Sequence, residues 1–150
     1  MVRVAVVALL LVARIALATG SPQFARELAE LQKALAGQPT NAALLFKLAD
    51  FCHDDGAKGN KEAVKVAEKH LRELLKLDPG NAPAQALLGS IYTMKGRDAF
   101  WPGTQISLVK EGCQIMDEAA RLAPDNFPVR LTRGLNNVHM PHHRGGSGQL

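Results

Sequence analysis

The sequence predicts an all-α protein, a short stack of antiparallel helix pairs behind an amino-terminal leader. Three observations carry this. Leu and Ala dominate while aromatics make up only 5% of the 150 residues, a balance that suits helices, because strands draw on β-branched and aromatic side chains. A Pro-x-Asn turn occurs three times, at Pro39-Thr40-Asn41, Pro79-Gly80-Asn81 and Pro124-Asp125-Asn126. Apolar residues recur at steps of three and four on either side of those turns, which is the period of a helix with one buried face.

The leader comes first. Arg3 gives residues 1–18 a positive start, and Val4 to Ala13 is an unbroken apolar run of ten residues. Ala16-Leu17-Ala18 supplies the small-x-small pattern of a cleavage site, so a signal peptide cut after Ala18 is expected. The rival is an uncleaved membrane anchor, for which about 20 apolar residues are needed. Arg14, at the end of the run, weakens either use. With Arg3 and Arg14 discounted, 16 basic side chains face 14 acidic ones. So small a surplus makes no case for nucleic acid, which calls for a clustered basic face.

The helices follow in order. Ser21-Pro22 opens one that runs to about Ala36, with Ser as cap and Pro in the first turn. Helices are then expected at 41–54, 61–77, 82–95, 104–122 and about 126–138. Counting back from each proline by 15, 12, 8 and 5 gives Val64, Ala67, Leu71 and Leu74 before Pro79. The same offsets give Val109, Gly112, Met116 and Ala119 before Pro124, and Phe24, Glu27, Leu31 and Ala34 before Pro39. Each proline thus closes a helix with a buried seam, and each asparagine can accept a backbone N–H as the next helix's N-cap. Counting forward from the asparagine by 7, 8 and 11 gives Leu48, Ala49 and Cys52, then Leu88, Gly89 and Tyr92, then Arg133, Gly134 and Asn137. The small residue at the eighth place predicts a close approach of the paired helix.

These spacings resemble the tetratricopeptide repeat, W-x2-L-G-x2-Y, then A-x3-F, then P. The second copy reads Gln85-x2-Leu88-Gly89-x2-Tyr92. The first reads Leu45-x2-Leu48-Ala49-x2-Cys52, with Ala67-x3-Leu71 and Pro79. The third departs, with Arg133 and Asn137 where Leu and Tyr belong. The string from Leu87 through Asn137 is also similar to uncharacterised bacterial repeat proteins. The resemblance implies a short helical solenoid of half a repeat, two whole repeats and another half. It also implies a protein- or peptide-binding scaffold without catalysis or cofactor, which the leader at 1–18 would send to the periplasm or outside the cell. The domain is expected over 19–138, followed by a flexible Gly/His-rich tail over 139–150. Because the third unit lacks a second helix to cover it, a homodimer through the last helix is one expectation and a fraying end another.

The Pro-to-Pro separations, 40 and 45 residues, exceed the family's unit of about 34. The excess falls in HDDGAKGNK and KGRDAFWPGT, which are expected as inserted loops. The second holds Arg97, Phe100 and the only Trp, Trp101, residue types that concentrate in binding hot spots. Phe100 and Trp101 could equally fold back over the groove between repeats. His139, His142 and His143 could form a metal clip, but Pro141 breaks helical spacing and no carboxylate or thiol is near, so a solvated tail is expected. His53-Asp54-Asp55 reads as a solvated turn, and His70, between Lys69 and Arg72, as exposed. Cys52 and Cys113 fall in different repeats and are expected as separate small side chains without a disulfide. No nucleophile elbow, Walker loop or H-E-x-x-H motif is present.

Overall fold

The computed structural model describes residues 22–138. The expectations for the leader at 1–18 and for His139, His142 and His143 lie outside the described residues. Within them the chain is all helix: α1 (Pro22–Gly37), α2 (Ala42–Ala57), α3 (Lys61–Leu77), α4 (Ala82–Asp98), α5 (Pro102–Leu122) and α6 (Phe127–Val138). Consecutive helices pack on one another, and α2, α4 and α6 also contact directly, so the first helices of successive units form a continuous row. This is a short helical-repeat solenoid.

The caps fall where the turns place them. Asn41 accepts from the Ala43 and Leu44 amides, Asn81 from Ala84, and Asn126 from Val129. Asn60 caps α3 in the same way, through Glu62 and Ala63. Each satisfies N–H groups that the first helical turn leaves without an intrahelical partner.

The seams hold best in the middle. Val64, Ala67, Leu71 and Leu74 are buried, as are Leu48, Ala49 and Cys52 on α2 and Leu88, Gly89 and Tyr92 on α4. Met116 and Ala119 carry the seam of α5. In α1 the register differs: Leu28, Leu31 and Leu35 are buried while Glu27 and Ala34 face solvent. Leu is the larger payload, so the helix turns to bury three of them.

The inserted loops are not loops. Helix α2 continues through His53-Asp54-Asp55 to Ala57, α4 continues to Asp98, and α5 begins at Pro102. The extra residues lengthen the helices and leave three-residue turns, 58–60 and 99–101. Extension is favoured because each added residue gains an intrahelical bond and packs against its neighbour. The turn at 58–60 closes on Gly59, whose φ of 103° suits glycine alone among common residues. Buried Asp55 braces it, accepting from the Asn60 amide at 2.5 Å.

Helix α4 is the centre of the stack, buried on most sides, and its small residues explain how. A methyl at Gly89 would sit 2.6 Å from the Gly112 carbonyl oxygen and 2.6 Å from Met116 Cγ. One at Gly112 would sit 2.5 Å from the Gly89 oxygen. The backbones of α4 and α5 touch through this glycine pair. At Gly134, the third copy's small residue, nothing lies within 4 Å, so close packing there is not realised.

The core is uneven. One apolar cluster runs from Leu28 through Met94, whereas a second, under α6, consists of Ala82, Ala86, Ala119 and Val129. Burying a single Val is worth only about 1.5–3 kcal/mol, so α6 is the most lightly held helix.

Candidate functional site

Phe100 and Trp101 occupy the short turn between α4 and α5. They do not fold back over a groove: Phe100 is 86% exposed and Trp101 70%. Their rings meet edge to face, with centroids 5.3 Å apart. Trp101 stands at the N-cap of α5 with no side-chain cap bond, so α5 starts on Pro102 and leaves the indole outside. Ile106, one turn on, is also exposed.

Arg97, grouped with these aromatics in the sequence, serves otherwise. Its guanidinium donates to the Ala57 and Gly56 carbonyls, both at 3.3 Å, and to Asp98 at 2.9 and 3.1 Å. It closes the carboxyl end of α2, where helix carbonyls lack partners and the dipole favours a cation. The hydrogen bond from Arg97 holds the Asp98 carboxyl below its usual range. Arg97 is therefore a structural clamp that fixes the base of the aromatic turn.

Further exposed apolar residues continue along the last unit. Leu122, Phe127, Leu131 and Leu135 all stand open. Beside them, an open groove between α5 and α6 is lined by Gln114, Asp117, Ala120, Arg121 and Arg133. Arg133, which breaks the repeat pattern, pairs with Asp117 at 2.6 Å.

A polar chain links the row of first helices. His53 Nε2 lies 2.9 Å from Ser90 Oγ, Asn136 Nδ2 donates to that same oxygen at 3.1 Å, and Thr93 donates to Asn136 Oδ1 at 2.7 Å. The expectation of a solvated turn at His53 is thus corrected, since the helix carries the imidazole inward to α4. Burial, chiefly, pushes its pKa below the ordinary value, against the opposing pull of Asp54 and Asp50. A Ser–His pair at this distance resembles a nucleophile and its base, but Ser90 is 2% exposed and lies within α4, whose backbone amides are engaged in the helix. The pair is a strut between repeats.

His70 is likewise buried, not exposed. Extending the seam by one residue brings it inward, where Nδ1 meets Glu73 at 2.9 Å. Cys52 and Cys113 form no disulfide; Cys52 is fully buried, and burial pushes its pKa up to about 12. Among the described residues no group of three or more His, Cys, Asp or Glu could hold a metal, and no helix is long and apolar enough to cross a membrane.

One cluster escaped the sequence reading. The exposed positions of α3 are Lys61, Lys65, Lys69, Arg72, Lys76 and the terminal Leu77. A net-charge count hides such a row, while the spacing of 4, 4, 3 and 4 reveals it. Beside it Tyr92 sits beneath Arg72 and Lys95, whose charged groups lie 5.7 and 5.1 Å from the ring centroid. Glu68 joins the two cations; burial alone would raise its pKa, but hydrogen bonds from Lys95 and Arg72 hold it below the usual range.

No family model matches the chain. A curated relative, a mitochondrial pentatricopeptide repeat-containing protein of Arabidopsis thaliana, is 33% identical over 96 residues. That stretch is 64% of this chain and 14% of the relative. The likeness is to a protein named for its repeats, and it accords with the helical-repeat architecture.

Proposed function

We propose that this chain is an interaction module, a helical-repeat scaffold that holds a protein partner against its last unit. One observation carries the reading. Of the eight large apolar side chains exposed among the described residues, seven lie between Phe100 and Leu135. Scattered exposed apolar residues need no explanation, but groups of them mark interaction surfaces, and here there are two, the aromatic turn with Ile106 at the start of α5 and Leu122, Phe127, Leu131 and Leu135 from the end of α5 onto α6. The paired aromatics on the clamped turn are the best anchors. A protein fits these surfaces better than a nucleic acid, because their character is apolar and Arg133 is already paired with Asp117.

The test is affinity capture from the native cell envelope with the parent and with a Phe100→Ala/Trp101→Ala variant. The variant is expected to lose a co-purifying protein while melting within about one degree of the parent, since exposed side chains contribute little to stability. Undiminished capture by the folded variant would end the recognition role.

We place the module outside the cytoplasm on the strength of residues 1–18. The charged start, the ten-residue apolar run and Ala16-x-Ala18 support export with cleavage after Ala18. Intact mass of the exported protein should then give Thr19 as the first residue. Recovery of Met1 on membrane-bound protein would instead favour a tethered assembly factor.

A further inference from the structure

We propose that the outward face of α3 is a docking strip for an extended, acidic segment of a partner polypeptide, separate from the aromatic turn and independent of it. The most exposed residues of α3, apart from the terminal Leu77, are all basic. With 3.6 residues per turn, Lys61, Lys65, Lys69, Arg72 and Lys76 fall within an arc of about 80° and span about 22 Å. Carboxylates flank this row and sit lower than the cations. Glu62 is 40% exposed beside Lys65 at 70%, Glu73 is 42% beside Lys69 at 66%, and Glu68 is 17% beside Arg72 at 49%. Glu68 is shared with Lys95, Glu73 with His70, and Asp98 acts on Lys61 at the start of the row. The result is a positive strip about 80° wide with carboxylates along its edges.

The width and the chemistry of the strip choose its occupant. A bilayer or a duplex is broad and would press on the flanking carboxylates as well as the cations. A bilayer would also want apolar side chains to bury, and this face offers only Leu77. A single nucleic-acid strand gains much of its affinity from bases stacked on aromatic rings, yet Tyr92 is buried under Arg72 and Lys95. An acidic polypeptide needs neither. Cations four residues apart on a helix recur about every 6 Å, and alternate side chains of an extended chain recur about every 6.6 Å. Asp or Glu at every second residue therefore meets the row over its length. The existing Lys–Glu contacts are surface pairs that contribute little, so an incoming carboxylate can replace them. Complementarity of this kind gives specificity and speed of encounter, with affinity that falls as salt rises.

Three probes decide the matter: a labelled peptide of about ten residues alternating Glu and Ser, an oligothymidylate of similar length, and vesicles containing phosphatidylserine. The peptide is expected to bind most tightly and to weaken as salt is raised. Lys65→Glu/Lys69→Glu should weaken it at least tenfold, and Lys65→Gln/Lys69→Gln should weaken it measurably without adding charge. The charge-matched Lys33→Glu/Lys47→Glu pair and Trp101→Ala should leave it unchanged. Circular dichroism confirms that each variant is folded; should the Glu pair loosen α3, the Gln pair carries the test. Tighter binding of the oligonucleotide or the vesicles would overturn the proposal. So would equal weakening by the Lys33/Lys47 pair, or no peptide binding at all. Because Trp101→Ala leaves this readout untouched, failure here and failure of the aromatic turn as an anchor remain distinct.

Discussion

Replacing Gly89 by Ala should destabilise the protein, although helix propensity favours the change. Propensity gains about 1 kcal/mol when a helical Gly becomes Ala. Against that, the new methyl would lie 2.6 Å from the Gly112 carbonyl oxygen, 2.6 Å from Met116 Cγ and 3.1 Å from the Met116 amide nitrogen. Met116 Cγ can swing aside, but the carbonyl is backbone and cannot. Reaching an ordinary contact near 3.4 Å requires α4 and α5 to part by roughly 0.8 Å along that direction, and a radial gap of about 0.5–1 Å forfeits a quarter to a half of each dispersion contact. Overpacking of this kind costs about 1–3 kcal/mol or more. A net loss of up to about 2 kcal/mol is therefore expected, with Tm falling by about 4 °C per kcal/mol for a domain of this size. Gly89→Leu should fare worse. The control is Gly134→Ala, where nothing lies within 4 Å, and there propensity should win and raise Tm. Thermal melts of the three variants are the assay. If Gly89→Ala melts at or above the parent, the glycine contact does not set the spacing of the two helices.

Truncating Leu71 or Leu74, both 0% exposed, or Met116, at 1%, should cost about 2–5 kcal/mol each. A melt within a degree of the parent for all three would mean the seam is misassigned. Arg97→Ala should lower Tm by a few degrees, because the Ala57 carbonyl loses its charged donor while the Gly56 oxygen keeps only its bonds within the turn, from Gly59 at 2.9 Å and from Lys58, and Arg97→Lys should rescue only part, since one ammonium cannot reproduce the fork to Gly56 and Ala57. Unchanged stability in Arg97→Ala would return that residue to the recognition surface. Burial holds His53 and His70 below the ordinary histidine value in the folded chain. The unfolded chain takes up protons first as pH falls, so stability present above about pH 6.5 is lost as pH drops through the depressed folded values. Melts at pH 7.5 and 5.5 should show the loss, and a His53→Gln/His70→Gln variant should flatten it. An equal slope in that variant would place the titration elsewhere.

The sequence by itself determined the helical class, the caps and the middle seams. Those are local: Asn41, Asn81 and Asn126 bond amides two or three residues ahead, and a stripe at steps of three and four has one way to be buried. The glycine contact was half legible. A small residue at a fixed place announced a close approach at Gly89, but only the fold showed that Gly112 answers it and that even a methyl is too large. Tertiary structure decided the rest. HDDGAKGNK and KGRDAFWPGT look like loops because Gly and Asp favour turns in isolation, yet packing against α4 and the Asp55–Asn60 bond carry α2 through that composition. Arg97 looked like a partner's anchor because the carbonyls it caps lie 40 and 41 residues away. His53 and His70 looked solvated because polar neighbours in sequence say nothing about the helix that crosses over them. Local bonding is written in short spacings, whereas the identity of whatever comes to lie against a face is set only when distant segments meet.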